Sequence, residues 1–195
     1  MTTALLAMLI AYLFGSISSA IVVCRLMHLP DPRSHGSKNP GATNVLRLGG
    51  KRAAIITLLG DALKGVVPVV IGRLLGLDEL MLTLVAFFAF IGHLFPVFFG
   101  FEGGKGVATF IGTLLVLCWP VGVAWVAVWM IMAAFFRYSS LSAITASVLT
   151  PLFFWFFTLD AGATGVMAVI CLILIYRHKE NITKLMSGTE GKIGK

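Results

Sequence analysis

Charged side chains are scarce in this sequence. Only 12% of its 195 residues are Asp, Glu, Lys or Arg, whereas 58% are hydrophobic. A soluble domain has about 25% charged residues, so the composition excludes an ordinary soluble globular protein. Residues 1–23 carry no charge, and this run is long enough to cross the ~30 Å hydrocarbon layer of a bilayer. The sequence therefore predicts an integral membrane protein.

Cysteine is also rare, and the three cysteines do not suggest a site. Cys24, Cys118 and Cys171 all lie in apolar segments and lack the spacing of metal ligands. Cysteine in such surroundings behaves as a small apolar side chain. We therefore interpret all three as packing residues, and we expect neither a metal nor a cofactor.

Common catalytic motifs are missing as well. No aspartate stands five positions after a histidine, because His28, His35, His93 and His178 are followed there by Arg33, Pro40, Phe98 and Thr183. There is no G-x-S-x-G elbow and no H-E-x-x-H motif. The sequence thus gives no sign of a conventional serine, zinc or His–Asp mechanism.

Seven apolar segments are candidate spans: residues 4–24, 53–72, 80–99, 107–118, 121–136, 141–158 and 161–176. The uncharged stretch 107–136 is divided because Pro120 and Gly122 favour a turn within it. The first segment is not typical of a signal peptide, since it lacks a basic n-region and its first charge follows the apolar run. We predict an all-α polytopic fold in which residues 1–195 form a single domain.

The basic residues indicate the orientation of these spans. With seven spans and an outside N-terminus, thirteen of the fifteen basic residues lie on the cytoplasmic side: Arg25, Arg33, Lys38, Arg47, Lys51, Arg52, Lys105, Arg137, Arg177, Lys179, Lys184, Lys192 and Lys195. Six spans would weaken this bias, which is typical of cytoplasmic loops. We therefore predict seven spans with a cytoplasmic C-terminus. This topology accounts for the net charge of +7, so we expect no nucleic-acid partner.

Four polar segments share the predicted cytoplasmic side: residues 31–52, 100–106, 137–142 and 177–184. The outside turns near residues 73–79 and 158–162 carry little comparable chemistry. We therefore predict one site built from loops on the cytoplasmic face. The chain after Arg177 is expected to form a helical turn and then a frayed end.

The first polar segment contains "SHGSKNPGATN", residues 34–44. Gly36, Gly41 and the small Ala42 let backbone N–H groups approach an anion closely. Arg47 adds a planar fork that matches phosphate. Further hydroxyl and amide donors come from Ser37, Asn39, Thr43 and Asn44. A flexible turn-rich loop is the alternative, but the density of donors favours anion binding.

The second polar segment, "GFEGGKGVAT", places glycines and a lysine before a predicted helix. It is not a Walker A loop, which needs G-x4-G-K followed by Ser or Thr. The amides of Gly103 and Gly104, the ammonium of Lys105 and the helix N-terminus are candidates for holding phosphate. The alternative is a hinge of small residues. Glu102 is interpreted as solvated rather than catalytic.

Ionisable residues also occur inside predicted spans. Asp61 and Lys64 lie about one helical turn apart, and each costs about 3 kcal/mol to insert at a membrane centre. Asp61 and Lys64 either form a structural ion pair, or Lys64 points towards the polar site. His93, in "FIGHLFPVFFG", is either a packed histidine or a ligand, and we favour a ligand.

The last two segments add hydroxyl, imidazole and amide groups. Ser139, Ser140 and Ser142 are candidates both for helix capping and for ligand binding, and we expect at least one to cap a helix. Arg177, His178 and Asn181 can face one way on a helix. A headgroup anchor is the alternative for such juxtamembrane residues, but His and Asn add nothing to an anchor and favour recognition.

An ordered set of motifs carries a resemblance to a known family. From about Gly15 to the tail, "GSISSA", "DPRSHGSKNPGATNVLRLGG", "DALKG", "GHLFPVFFGFEGGKGVAT", "YSSL" and "RHKENITKL" resemble the bacterial acyl-phosphate:glycerol-3-phosphate acyltransferases, the PlsY family. The resemblance implies a seven-helix inner-membrane enzyme with a cytoplasmic site. Such an enzyme transfers a fatty acyl group from acyl phosphate to the 1-hydroxyl of glycerol 3-phosphate, and it releases lysophosphatidic acid and phosphate. This is the first step of phospholipid synthesis, and an upstream enzyme would supply the acyl phosphate.

The resemblance also implies roles for individual residues. Ser37 and the amides of its loop would surround the acyl-phosphate group, while Arg47, Lys105, His178 and Asn181 match positions associated with substrate phosphate and glycerol. Two residues depart from the common pattern, Lys38 in place of glycine and Glu102 in place of lysine, and neither is given a catalytic role. A phosphate or organophosphate transporter is the alternative function. It would be expected to show a polar path and a paired repeat, and neither is visible in the sequence.

Overall fold

The computed structural model describes residues 1–194, and this part of the chain is helical without a strand. Its nine α-helices are α1 Thr2–Gly15, α2 Ser19–Leu26, α3 Ala42–Leu74, α4 Glu79–Leu94, α5 Val107–Leu117, α6 Trp119–Phe136, α7 Ser139–Thr158, α8 Ala161–Arg177 and α9 Lys179–Met186. A 3-10 turn, Val97–Phe99, follows α4. The all-α prediction is confirmed. Lys195, which was counted with the cytoplasmic basic residues, lies outside the described residues.

Several of these helices are long and apolar enough to cross a membrane. Within the described chain they are Thr2–Leu26, Ala42–Leu74, Glu79–Phe99, Trp119–Phe136 and Ser139–Thr158, and α8 with α9 makes a sixth if this pair, bent by 55°, counts as one span. The apolar helix α5 is shorter, at 11 residues. The chain is therefore a multi-pass membrane protein, while the count of seven and the orientation stay predictions.

The first predicted span, residues 4–24, corresponds to the apolar segment Thr2–Leu26, and its helix is interrupted. The chain leaves the helix between Gly15 and Ser19, and Ser18 caps α2 by accepting from the Ile21 N–H at 3.5 Å. The break exposes backbone groups that need partners in an apolar layer. Lys64 supplies one, because its Nζ donates to the Ile17 carbonyl at 2.9 Å.

Helix α3 begins at Ala42, well before the predicted start at residue 53. Residues 42–44 were expected in a loop, and this expectation is wrong, since they form the first turn of the helix after the extended N-cap Gly41. Gly50 has a φ of 74° and kinks the helix. A short polar helical segment therefore precedes the apolar part of α3. Lys51 and Arg52 lie at the boundary between these two parts and not at the beginning of the helix.

The uncharged stretch 107–136 divides as predicted. Helix α5 ends at Leu117, Cys118 lies in the break, and Pro120 stands in the first turn of α6, where its missing N–H does no harm. Edge-to-face aromatic contacts connect α4 to α5 and α5 to α6. The Phe90 and Phe110 ring centroids are 6.3 Å apart, and those of Phe110 and Trp125 are 6.4 Å apart.

Glycine residues allow close backbone contact in two helix pairs, α1 with α4 and α3 with α5. A Cβ at Gly15 of α1 would collide with the Ala89 carbonyl of α4, and a Cβ at Gly112 of α5 would collide with the Ala62 carbonyl of α3. Close approach at glycine is the usual way in which membrane helices gain packing contacts. These contacts hold α1 against α4 and α3 against α5, and the polar loops at residues 31–41 and 100–106 adjoin α3, α4 and α5.

Candidate active site

The four polar segments meet at one end of the helix bundle. Arg33 Nη1 lies 3.6 Å from Glu102 Oε2, and Arg177 Nη2 donates to the Gly103 and Gly104 carbonyls at 3.1 and 3.0 Å. Ser140 Oγ donates to a tail carboxylate at 2.6 Å. We refer to residues 31–41 as the first loop, to 100–106 as the second loop and to 187–194 as the tail.

Asn44 holds the first loop in shape. It is 1% exposed, its Oδ1 accepts from the Ser37 N–H at 2.9 Å, and its Nδ2 donates to the carbonyls of Pro32 and His35 at 2.9 and 3.0 Å. Both amide hydrogens are therefore used within the protein. The expectation that Asn44 donates to a ligand is wrong, because its amide is consumed in ordering the loop.

The other donors of the first loop gather around the N-terminus of α3. Ala42 and Thr43 belong to the first turn, whose N–H groups have no intrahelical acceptors and form the positive end of the helix dipole. Gly41 is the N-cap, and the Asn39 carbonyl accepts its N–H at 2.9 Å. Gly36 and Ser37 are exposed. This loop followed by a helix N-terminus is a suitable anion site.

The second loop is clamped rather than hinged. A Cβ at Gly103 would collide with the His93 and Leu94 carbonyls, and a Cβ at Gly104 would collide with His93 Nε2. Arg177 holds the opposite side of the loop through the two carbonyl oxygens. Both glycines are thus required by packing against the end of α4, and the rigid loop places Lys105 next to the tail.

A polar chain of contacts links Lys105 to α7. Lys105 Nζ donates to Asn181 Oδ1, and Asn181 Nδ2 donates to Glu190 Oε1 at 2.7 Å. Ser140 Oγ donates to the same Glu190 oxygen at 2.6 Å. Burial lowers the pKa of Lys105, an effect that the carboxylates of Glu190 and Glu180 partly oppose. The geometry joins three predicted site residues to a glutamate that the sequence analysis missed.

The tail crosses this face, so the expected frayed end is wrong for residues 187–194. The Ile193 N–H donates to the Arg137 carbonyl at 2.6 Å, and Arg137 Nη2 donates back to the Ile193 carbonyl at 2.9 Å. Gly191 passes beside the guanidinium of the exposed Arg47. The tail therefore brings Arg47 to the same face as Lys105 and Asn181. No local pattern in the sequence marks these contacts.

His178 lies at the junction of α8 and α9, after the last apolar helix. Its Nδ1 is 2.8 Å from the Leu174 carbonyl, an acceptor, so Nδ1 carries the proton and donates it. Burial lowers the pKa of His178 to about 4. The ring is then neutral at pH 7, and Nε2 is the nitrogen with a lone pair to accept a proton.

The serines at the start of α7 do not cap it, which corrects the capping prediction. The N-cap is Tyr138, and no side chain bonds the first turn. Ser142 Oγ donates back to the Tyr138 carbonyl at 2.8 Å, while Ser140 binds Glu190. Ser139 is half-buried in the first turn. The helix begins without a side-chain cap because Tyr138, rather than a serine, occupies the N-cap position.

Asp61, Lys64 and His93 form a buried cluster beneath the second loop. Lys64 Nζ is 2.9 Å from Asp61 Oδ1, His93 Nδ1 is 3.7 Å from the same oxygen, and the three side chains are 3–6% exposed. Lys64 bonds only Asp61 and the Ile17 carbonyl among the described residues, so the geometry favours the structural ion pair, while its assignment to substrate binding stays a prediction. His93 contacts Gly104 and supports the loop from below.

Comparisons with known proteins all point to one family. The family described as glycerol-3-phosphate acyltransferase matches residues 5–188. A glycerol-3-phosphate acyltransferase of Methylococcus capsulatus is 53% identical over 184 residues, which are 94% of this chain and 93% of that protein. The corresponding protein of Thiobacillus denitrificans is 55% identical over an alignment of 195 positions that covers 98% of each protein.

Solved structures show the same relationship. A crystal structure of PlsY, an integral membrane glycerol 3-phosphate acyltransferase, in its glycerol 3-phosphate form has a TM-score of 0.93 and 38% identity, covering 98% of this chain and 96% of that one. The lysophosphatidic acid form of PlsY has a TM-score of 0.91 and 37% identity, with the same coverage. The family resemblance seen in the sequence is confirmed. The chain therefore belongs to the glycerol-3-phosphate acyltransferase family.

Proposed function

We propose that this protein transfers a fatty acyl group from acyl phosphate to the 1-hydroxyl of glycerol 3-phosphate. Glycerol-3-phosphate acyltransferase activity follows from the family match and from relatives at about half identity over nearly the whole chain. The PlsY neighbours include a glycerol 3-phosphate form and a lysophosphatidic acid form. No comparison supports the transporter alternative. The choice of acyl phosphate as donor and the positions of the two substrates are our proposal.

The observation that carries this proposal is the convergence of two anion-binding features on one face. One is the N-terminus of α3 with the first loop, and the other is the set of Arg47, Lys105 and Asn181 joined by the tail. An acyl transfer between two phosphorylated substrates needs two such features close together. We place the donor phosphate at the first loop, near Ser37 and the amides of Ala42 and Thr43. We place glycerol 3-phosphate at Arg47, Lys105 and Asn181.

The distribution of basic residues supports a location for the enzyme. Of the thirteen basic residues predicted on one side, eleven lie in the polar segments 31–52, 100–106, 137–142 and 177–184 or in the tail, and cytoplasmic loops carry such an excess. We propose that the protein lies in the bacterial inner membrane with its site facing the cytoplasm. Glycerol 3-phosphate would then enter from the aqueous side, and the acyl chain would remain among apolar helices.

The reaction needs little chemical help beyond positioning. The 1-hydroxyl oxygen attacks the acyl carbonyl carbon, the bond from that carbon to the phosphate oxygen breaks, and phosphate leaves with the electron pair. The hydroxyl proton passes either to Nε2 of His178 or to the phosphate of the substrate. Because an acyl phosphate is a mixed anhydride, it is already activated, and cationic groups that stabilise developing charge supply the remaining assistance.

Direct transfer is favoured over a covalent acyl-enzyme. Cys24 and Cys171 are buried, at 1% and 2% exposed, and Cys118 lies in the break between α5 and α6. No described serine is paired with a histidine and an acid in the arrangement that activates a nucleophile. We therefore expect donor and acceptor to be bound together when the acyl group moves.

The test uses purified protein in detergent. With acyl phosphate and glycerol 3-phosphate, it should form lysophosphatidic acid and inorganic phosphate, while acyl-CoA should be a poor donor. Radiolabelled acyl phosphate without acceptor should leave no label on denatured protein. Stoichiometric label that moves into lysophosphatidic acid on addition of acceptor would contradict direct transfer. A failure to form any product from acyl phosphate would contradict the proposed donor.

A further inference from the structure

The buried cluster of Asp61, Lys64 and His93 lies within the apolar helices α3 and α4, and the bond changes of the proposed reaction do not involve it. Two of its members suffice for an ion pair, since Lys64 Nζ lies 2.9 Å from Asp61 Oδ1 and donates to the Ile17 carbonyl at 2.9 Å. The two charges are thereby compensated without His93. The histidine therefore requires a separate explanation.

Packing alone does not account for an imidazole at position 93. The His93 side chain is 6% exposed, and its Nδ1 has no hydrogen-bond partner among residues 1–194. A buried polar nitrogen without a partner costs free energy that an apolar ring such as phenylalanine would not cost. The surroundings of the two ring nitrogens indicate what the imidazole does instead.

One ring nitrogen faces a carboxylate. His93 Nδ1 lies 3.7 Å from Asp61 Oδ1, which is too far for a hydrogen bond, but a charge still attracts an N–H dipole in an apolar layer. This attraction places the proton on Nδ1. A ring turned by 180° would present a carbon to Asp61 and lose the attraction. Because Lys64 holds Asp61 and also bonds the break between α1 and α2, the orientation of the ring is tied to the helix bundle.

The other ring nitrogen faces the place where the two loops meet. A Cβ at Gly104 would collide with His93 Nε2 and would come within 2.9 Å of the Pro40 carbonyl oxygen, so Gly104 is packed between α4 and the first loop. The backbone bond from the Gly104 N–H to the His93 carbonyl is long, at 3.3 Å. The ring is therefore a main support of Gly104 on this side. Lys105 is the next residue, and its ammonium is the group that we assign to glycerol 3-phosphate.

We propose that His93, oriented by Asp61, is a positioning residue that holds Lys105 in place for glycerol 3-phosphate. It acts through Gly104, and it gives the intramembrane ion pair a role in acceptor affinity. The inference rests on the proposed function, which places glycerol 3-phosphate at Lys105. The donor should be affected little, because Asn44 shapes the first loop independently. Binding of the acceptor should accordingly change more than the transfer step.

The first test is the steady-state kinetics of purified protein in detergent with acyl phosphate as donor. His93→Ala removes the support, whereas His93→Gln keeps a polar group at about the reach of Nε2. A contact to a charged group that is weakened rather than lost should raise the KM for glycerol 3-phosphate about three- to tenfold in His93→Ala. The glutamine variant should recover most of this change. Both kcat and the KM for acyl phosphate should stay within about twofold of the parent values.

Two comparisons separate positioning from stability. Ser147→Ala breaks another buried contact, the 3.4 Å bond from Trp125 Nε1, and should melt earlier while both KM values stay parental. Asp61→Leu combined with Lys64→Met removes both charges together, so this variant should keep most of its stability yet raise the KM for glycerol 3-phosphate as His93→Ala does. A parental KM for glycerol 3-phosphate in either variant of the cluster would overturn the inference. Equal rises in the KM of both substrates, or a glutamine variant as impaired as the alanine variant, would also overturn it.

A second measurement does not require turnover. Hydrogen–deuterium exchange of the second loop should be faster in His93→Ala than in the parent protein, while the first loop should exchange at the parental rate. In Ser147→Ala the second loop should exchange as in the parent. Unchanged exchange of the second loop in His93→Ala would contradict the positioning role. If the parent protein made no product from acyl phosphate, the proposed function would fail, and the exchange comparison would still decide whether His93 positions this loop.

Discussion

Glu190 should be essential to the geometry of the site although it does not resemble a catalytic residue. Its Oε1 accepts from Ser140 of α7 at 2.6 Å and from Asn181 of α9 at 2.7 Å, and Asn181 in turn accepts from Lys105. The glutamate therefore fixes which way the Asn181 amide faces. Replacing it with alanine frees that amide to rotate and releases the tail. Replacing it with glutamine keeps an acceptor oxygen and removes only the charge.

The contacts set the size of the effect. A hydrogen bond to a charged group contributes about 1.5–3 kcal/mol, and a neutral one contributes about 1 kcal/mol. Glu190→Ala loses the aligned Asn181 and should reduce kcat/KM by about ten- to a hundredfold, at about 1.4 kcal/mol for each factor of ten. Glu190→Gln should lose less than tenfold. Both variants should also melt earlier, the alanine variant more so, because the tail loses its anchor to α7.

The assay is kcat/KM for glycerol 3-phosphate together with the melting temperature in detergent. Glu180→Gln is the matched control, since Glu180 is an exposed glutamate on α9, the helix that carries Asn181. It should retain activity and stability close to those of the parent protein. Parental kcat/KM in Glu190→Ala would refute the reasoning, because Asn181 would then be oriented without the carboxylate. Equal losses in the alanine and glutamine variants would show that charge, rather than the acceptor oxygen, is what matters.

Four further predictions follow from the same structure. Arg47→Ala should lower turnover about ten- to a hundredfold without changing the melting temperature. Arg47→Lys should restore turnover only in part, because lysine lacks the planar fork of the guanidinium. Parental activity in Arg47→Ala would contradict the assignment of Arg47 to phosphate binding. Asp61→Asn should destabilise the protein by about 3–5 kcal/mol, whereas Asp61→Leu combined with Lys64→Met should be tolerated better, as melting would show. Burial holds the pKa of His178 near 4, while a phosphate monoester titrates near 6. A general base works only when it is unprotonated. A fall in kcat below pH about 6 that persists in His178→Asn would identify the substrate phosphate as the base. A fall in kcat near pH 4 would identify His178 as the base. Reporter fusions to the two chain ends should report opposite compartments, and signals from one side would exclude seven spans.

The helical class and the convergence of the polar segments could be predicted from the sequence because a bilayer imposes strong constraints. Apolar runs of span length must be helices, and alternate connections between them must share a side. Lys105 and Asn181, separated by 76 positions, were assigned to one site on that argument, and their side chains are in contact. The break at Cys118 was likewise visible, because proline and glycine mark helix ends within an otherwise uniform apolar run.

Other features depend on contacts that no local pattern records. Glu190 and Ser140 lie 50 positions apart, and the tail between Met186 and Gly194 has the polar, glycine-containing composition of a frayed end. Asn44 has the chemistry of a ligand donor, and only its buried position shows that its amide serves the loop instead. Serines at a helix start suggest capping, but a tail carboxylate and a backbone carbonyl are their partners here. In each case the residue type was informative and its partner was not predictable.

The glycines of the two loops show how packing and chemistry are joined in this site. They were interpreted as giving an anion access to backbone amides, yet Gly36 faces Asn44 Oδ1 and Gly103 and Gly104 face His93, with no room for a side chain at any of them. Their main physical consequence is that both loops pack closely against the Asn44 side chain and the end of α4. For an already activated donor, a rate gain must come from holding two substrates in a reactive arrangement. Under the proposed function, closely packed loops with donors on their outer faces would supply that arrangement. Alanine at Gly104 should therefore displace Lys105 through His93 and reduce activity, even though position 104 itself contributes no side chain to the reaction.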